Sequence, residues 1–270
     1  MHRRDFLRYM AALGLAAGVG RRLVLPEEVW ALDSGPGPAI SADEALKILQ
    51  DGNTRYLEGK PQYPHQGRER RALTAGQGQH PLAAVLSCSD SRVPVELIFD
   101  QGLGDLFGVR VAGNAAATDE IGSLEYAVDH LNTPLVVVLG HSQCGAVTGV
   151  LENAKLPGSI PALVAPIRAA VARAREENPG AAGEALLEAA IKDNVWQAME
   201  DILQKSPLIK AGVKSAKTKL VGAFYELDTG QVQWLGPHPN QEKLLGGKGR
   251  EGPKTRAREG KKRPEPEELR

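Results

Sequence analysis

Three residues in this 270-residue chain have the types and spacing to hold a metal ion. Cys88 stands alone. His141 and Cys144 lie three residues apart in Gly140-His-Ser-Gln-Cys-Gly145, a segment with the composition of a tight turn. Two thiolates and one imidazole form a soft-to-borderline donor set that suits zinc. Three protein ligands leave the fourth tetrahedral position open, as in a catalytic rather than a structural zinc site. The ordinary readings of the same residues are a buried thiol packed as a small hydrophobe, a core histidine satisfied by a carbonyl, and a redox-active cysteine pair. Beside Cys88, the Ser-Asp-Ser-Arg run sets Asp90 two residues from Arg92. A guanidinium at that distance in a turn can hold a carboxylate in a fork, either as a buttressed turn cap or as part of the chemistry.

These residues are worth reading together because of what precedes them. Pro81-Leu-Ala-Ala-Val-Leu86 is a short apolar run ending just before Cys88. Leu135-Val-Val-Val-Leu139 is apolar and β-branched through its centre and ends just before His141. Both read as strands buried on two faces. Asp105–Val111 is a third strand candidate, and Lys219–Leu227 with Gln231–Leu235, separated by Asp228-Thr-Gly230, reads as a hairpin. Between them Ser41-Ala-Asp-Glu44 has the capping-box pattern and opens a helix toward Leu57. Ile121, Leu124, Val128 and Leu131 recur at helical spacing. Ala162–Glu177 and Glu184–Gln204 are longer helical patterns. Strands alternating with helices predict an α/β fold with a mostly parallel central sheet flanked by helices. In such sheets ligands sit beyond the carboxyl ends of the strands, where both cysteines fall. The segment after Cys144 looks helical, and the first N–H groups of such a helix, at Gly145 and Ala146, would face an anion or a bound oxygen.

Composition agrees with a folded domain and narrows its partners. Apolar residues make up 42% and charged residues 24%, which excludes a disordered or fibrous form for the bulk of the chain. A formal net charge of +0 argues against a dedicated nucleic-acid binder. The charge is unevenly spread. Residues 1–31 carry 5 basic and 3 acidic groups, residues 32–242 carry 18 and 25, and residues 243–270 carry 10 and 5. Charge alone reads as an acidic globular middle with basic ends. With the motifs described below, the expected organisation is an export signal over 1–31, a Gly/Pro linker over 32–40, the folded domain over 41–238 that the family resemblance below implies to be catalytic, and a disordered basic tail over 239–270 that is too poor in apolar residues to offset its ordering entropy.

Cys88-Ser-Asp-Ser-Arg92 followed by Gly140-His-Ser-Gln-Cys-Gly145 resembles the paired metal motifs of the β-class carbonic anhydrases. Arg110-Val-Ala-Gly-Asn114, Gly122-Ser-Leu-Glu-Tyr126, Asn194-Val195 and the closing hairpin near Trp234 extend the likeness over roughly residues 41–238. The resemblance implies reversible hydration of carbon dioxide to bicarbonate and a proton. It assigns one Zn²⁺ per chain to Cys88, His141 and Cys144. It assigns Asp90 and Arg92 a gate: paired with Arg92, Asp90 accepts a hydrogen bond from the nucleophile and orients it; released, it can ligate the metal and close the site. Gln79 matches an amide that hydrogen-bonds substrate, and Phe107 and Tyr126 match aromatic pocket positions. The family is built from dimers, with the helix matching Ser41–Leu57 reaching over its partner, so pocket residues such as Gln79 can serve a site across the interface; the resemblance implies a homodimer or a tetramer here. Related readings are a hydrolase of carbon disulfide type on the same scaffold and a noncatalytic zinc-binding module.

The start of the chain adds an address. Arg3-Arg4 with Phe6-Leu7 and a weakly apolar run from Tyr9 to Val19 resembles a twin-arginine export signal. The run is about ten residues, too short for a membrane span of roughly 20. Val29 and Ala31 occupy the small-residue positions of a cleavage site. The expectation is an exported protein, periplasmic or extracellular, with the twin-arginine machinery as a transient partner. The ordinary reading is an amphipathic N-terminal helix in a cytoplasmic protein.

Overall fold

The computed structural model describes residues 40–246. The expected export signal and all but the first residues of the expected tail lie outside them.

Five strands form one sheet in the order β2-β1-β3-β4-β5: β1 (Ala83–Ser87), β2 (Leu106–Arg110), β3 (Leu135–His141), β4 (Lys219–Tyr225) and β5 (Val232–Gly236). The pairs β1–β2, β1–β3 and β3–β4 are parallel, and β4–β5 is antiparallel. This is the mostly parallel α/β sheet that the sequence predicts. Every residue of β1 and β3 is buried, because helices cover both faces, and that is why these strands are apolar without alternation.

On one face Ala83, Val85, Leu135, Val137 and Leu139 pack against Ala45 and Leu49 of α1 (Ala42–Leu57) and Ile98 of α3 (Val95–Ile98). On the other face Ala84, Leu86, Val136 and Val138 meet Ile121 and Leu124 of α4 (Thr118–Glu125), Val195, Met199 and Ile202 of α8 (Gly183–Lys205), and Ile209 of α9 (Pro207–Lys214). Each of the Val, Leu, Ile and Met side chains contributes about 1.5–3 kcal/mol on full burial. Helix α1 starts as the sequence indicates. The Glu44 N–H donates to Ser41 Oγ at 3.2 Å, and the Ser41 N–H donates to Glu44 Oε2 at 2.8 Å.

The structure corrects three sequence expectations and adds one helix. That helix, α2 (Arg68–Gln77), lies between α1 and β1. None of its residues is buried, so it carries no apolar stripe to announce it. The pattern over Ala162–Glu177 is two helices, α6 (Ile160–Leu163) and α7 (Ile167–Glu177), separated around Pro166. The spacing of Ile121 to Leu131 covers α4 and then a single π-helical turn, Tyr126–His130. Past Pro239 the chain forms α10 (Gln241–Leu244), and Leu244 and Leu245 pack on the core. Order thus persists beyond the point at which composition places the tail.

A candidate metal centre at the carboxyl ends of the strands

The third apolar cluster closes the carboxyl end of the sheet and contains both cysteines, with Ala115, Val147, Ile167, Ile191 and Phe224 around them. Cys88 follows β1 directly. His141 is the last residue of β3, and Cys144 caps α5 (Gly145–Leu151). The turn between them uses a left-handed Gln143, with φ of 57°. It is pinned to β4 by the Ser142 N–H donating to the Tyr225 carbonyl at 2.9 Å and the Leu227 N–H donating to Ser142 Oγ at 2.9 Å. Before it, Gly140 lets α8 lie against the strand end. A Cβ there would stand 2.7 Å from Val195 Cγ2.

The ligand atoms of Cys88, His141 and Cys144 all lie within 4.8 Å of one another, and all three residues are buried. His141 Nδ1 lies 2.8 Å from the Ser142 carbonyl. A carbonyl only accepts, so Nδ1 carries the proton and Nε2 presents its lone pair. That Nε2 is buried with no hydrogen-bond partner, a costly arrangement unless a cation completes it.

The sulfurs are polarised by their neighbours. The Cys88 thiol is held well below its ordinary value, first by the hydrogen bond from Cys144 and also by the N–H groups of Gly113 and Asp90, against the effect of burial. Cys144 is pushed up, by Cys88 first and by burial second, while the N–H groups of Ala146 and Val147 pull it down. The two sulfurs thus sit close enough to shift each other's acidity in opposite directions, and ligation by a cation takes both as thiolates. The donor set, the bare Nε2 and the closed apolar shell fit zinc.

Asp90 borders this cluster. Arg92 Nε donates to Oδ1 at 3.0 Å, Nη2 to Oδ2 at 2.8 Å, and the Arg92 N–H to Oδ1 at 2.9 Å. The fork is the one the spacing predicts. Arg92 holds the Asp90 carboxyl well below the usual carboxylate range. Arg110, the last residue of β2, donates Nε to the Cys88 carbonyl at 3.1 Å and Nη2 to the Asp90 carbonyl at 2.7 Å. One side chain thereby ties down both the cysteine and the aspartate.

The remaining sequence candidates stand elsewhere in the chain. Gln79 is exposed beyond the end of α2. Phe107 and Tyr126 pack on each other with ring centroids 6.1 Å apart. Phe107 pairs in register with Ala84, four residues before Cys88, about 13 Å away along the strand. Within one chain none of these three joins the cluster. Gly145 is exposed at the start of α5, directly after Cys144. Arg110, Gly113 and Asn194 support the site, although the sequence marks them only as family matches without a role. The available signal was an arginine closing a strand and an asparagine on the apolar face of a helix.

A model of the carbonic anhydrase family matches residues 83–232. Carbonic anhydrase 2 of Mycobacterium tuberculosis is 38% identical over 199 residues, covering 72% of this chain and 93% of that one. The chain belongs to the β-carbonic anhydrase family. The carbonic anhydrase of Mycolicibacterium smegmatis is likewise 38% identical, over 193 residues, covering 70% of this chain and 91% of that one. Among solved structures, one described as belonging to two tetrameric β-carbonic anhydrases from Sordaria macrospora aligns with a TM-score of 0.58 and 25% identity, covering 72% of this chain and 98% of that chain. The family match spans all three ligand candidates and the Asp90–Arg92 pair.

Proposed function

We propose that this chain is a zinc-dependent carbonic anhydrase that interconverts carbon dioxide and bicarbonate, with Cys88, His141 and Cys144 holding one zinc ion. The observation that carries the reading is the bare, buried Nε2 of His141 in a pocket shared with two polarised sulfurs. A redox role for the cysteines would leave that nitrogen without a purpose. When bound, zinc supplies the Lewis acidity that lets water attack carbon dioxide near neutral pH.

The chain's own residues do the rest. Arg92 keeps Asp90 anionic, so Asp90 accepts a hydrogen bond and cannot donate one. Its Oδ2 lies 4.0 Å from His141 Nε2, next to the place where the imidazole lone pair points. From there it would orient the attacking water toward substrate, and with the fork opened it would be free to ligate the metal and close the site. The apolar shell of Ala115 and Val147 suits an uncharged linear substrate.

Assembly is part of the proposal. The similar Sordaria enzymes are tetrameric by description, and we assign this chain a homodimer or a tetramer. Gln79, Phe107 and Tyr126 would then line a neighbouring copy's site, which accounts for their distance from their own. Among the described residues no helix is long and apolar enough to cross a membrane. Export through Arg3-Arg4 to a periplasmic or extracellular compartment completes the reading.

The test is stopped-flow hydration of carbon dioxide with metal analysis of the same sample. About one zinc per chain with hydration well above background is expected. Background rates at full zinc content would overturn the enzymatic reading in favour of a noncatalytic zinc-binding module.

A further inference from the structure

Helix α8 carries a polar residue where its neighbours are apolar. Asn194 is 1% exposed, between Ile191 and Val195, which are equally buried. Its Nδ2 donates to the Gly113 carbonyl at 2.7 Å, across 81 residues of sequence. Gly113 has φ of +76°. A Cβ on it would stand 2.6 Å from Ile167 Cδ1 and 3.0 Å from Ala146 Cβ. No side chain fits, so only backbone reaches this volume. The Gly113 N–H points at Cys88 Sγ, 3.2 Å away.

We propose that Asn194 is a positioning residue for the metal centre: by holding the Gly113 carbonyl it fixes the left-handed turn whose N–H donates to the Cys88 sulfur. The inference rests on Cys88 being a zinc ligand. Hydrogen bonds to a ligating atom orient it and tune how much charge it gives the metal. Here the last member is a peptide group, which has no side chain to hold it, so a buried amide on another helix does so. Asn194 lies one residue from Val195, which packs against Gly140 beside His141, so a single turn of α8 seats both halves of the donor set.

The test uses the full-length protein loaded with zinc or with cobalt(II). Asn194→Ala is compared with the parent and with Ile202→Val, a buried apolar change two turns further along the same helix. Zinc affinity is read by competition with a chelator, and the thiolate-to-cobalt charge-transfer band by absorption. Asn194→Ala is expected to weaken zinc by about 10-fold and to move the band, while Ile202→Val leaves both at parent values. If Asn194→Ala yields no folded protein, Asn194→Ser, which keeps a hydroxyl donor, is read against the same standard and shifts both in the same direction. Parent-like affinity and band in the folded Asn194 variant, or equal changes in Ile202→Val, overturn the positioning role. A parent protein with no thiolate-to-cobalt band overturns the ligand assignment itself, and the inference with it.

Discussion

Asp90 Oδ2 stands 4.0 Å from His141 Nε2 while the Arg92 guanidinium grips both Asp90 oxygens. A carboxylate this close to a bare imidazole nitrogen has two uses. It can accept a hydrogen bond from a nucleophile between them, or it can become a ligand itself. The fork decides between the two, because both oxygens are engaged.

Asp90→Asn keeps the shape and removes the charge. It is expected to retain zinc, since Asp90 is not among the three clustered ligands, and to lower hydration by about 10²-fold, the usual contribution of one positioned acid–base group. Stopped-flow rates with zinc content on the same preparation check this. A parent-like rate would remove Asp90 from the chemistry.

A second carboxylate serves the fold. Asp100 has a side chain only 1% exposed, takes Arg55 Nε at 2.6 Å, and accepts the N–H groups of Gln62 and Tyr63 at 2.9 Å each. Burial pushes its carboxyl up, but the Gln62 N–H, the Arg55 guanidinium and the Tyr63 N–H together hold it below its ordinary value. A folded value below the unfolded one means the stabilisation is complete above the unfolded value, about 3.9, and disappears as pH falls through the folded value. Asp100→Ala is expected to cost about 3 kcal/mol at pH 7, with the gap to the parent narrowing in acid. Denaturant unfolding of both proteins across that range measures it. A gap independent of pH would mean lost packing rather than lost charge.

The three residues that could hold a metal were legible because their types are restrictive. Cys88, His141 and Cys144 follow strands whose apolar runs, such as Val136-Val-Val138, are uniform because both faces are covered. The support around them was not legible. Gly113 contributes a backbone N–H, which has no side-chain signature. Asn194 looks like one more polar residue in a helix rich in them until its partner across 81 residues is known. Helix α2 was missed because it buries nothing. Gln79, Phe107 and Tyr126 could be named only by resemblance, since nothing in one chain brings them to the cluster.

Replacing Arg3-Arg4 with Lys-Lys keeps the charge of the start of the chain and changes only the paired guanidinium groups. If these form a twin-arginine signal, the variant is expected to stay in the cytoplasm with its signal uncleaved. Fractionation and mass measurement of the accumulated protein check this. Normal delivery would mean that another route reads the segment.

Cys144→Ser tests the centre most directly. Serine is close in size and leaves α5 and its N-terminus in place, but its hydroxyl stays protonated where a thiolate is needed. Removing a partner that merely supports a ligand costs 10–100-fold in metal affinity, so loss of a ligand is expected to cost more, with most zinc and most hydration lost together. Stripping the parent with a chelator should reproduce the same state. Zinc present at about 100 times its dissociation constant stabilises the folded chain by about 2.7 kcal/mol, so the stripped parent should melt lower and recover on adding zinc. The Cys144→Ser protein should melt low from the start and respond little to zinc. Metal analysis and thermal unfolding, each with and without added zinc, give the comparison. A Cys144→Ser protein that holds one zinc per chain and melts like the loaded parent would show that the ion does not depend on this sulfur.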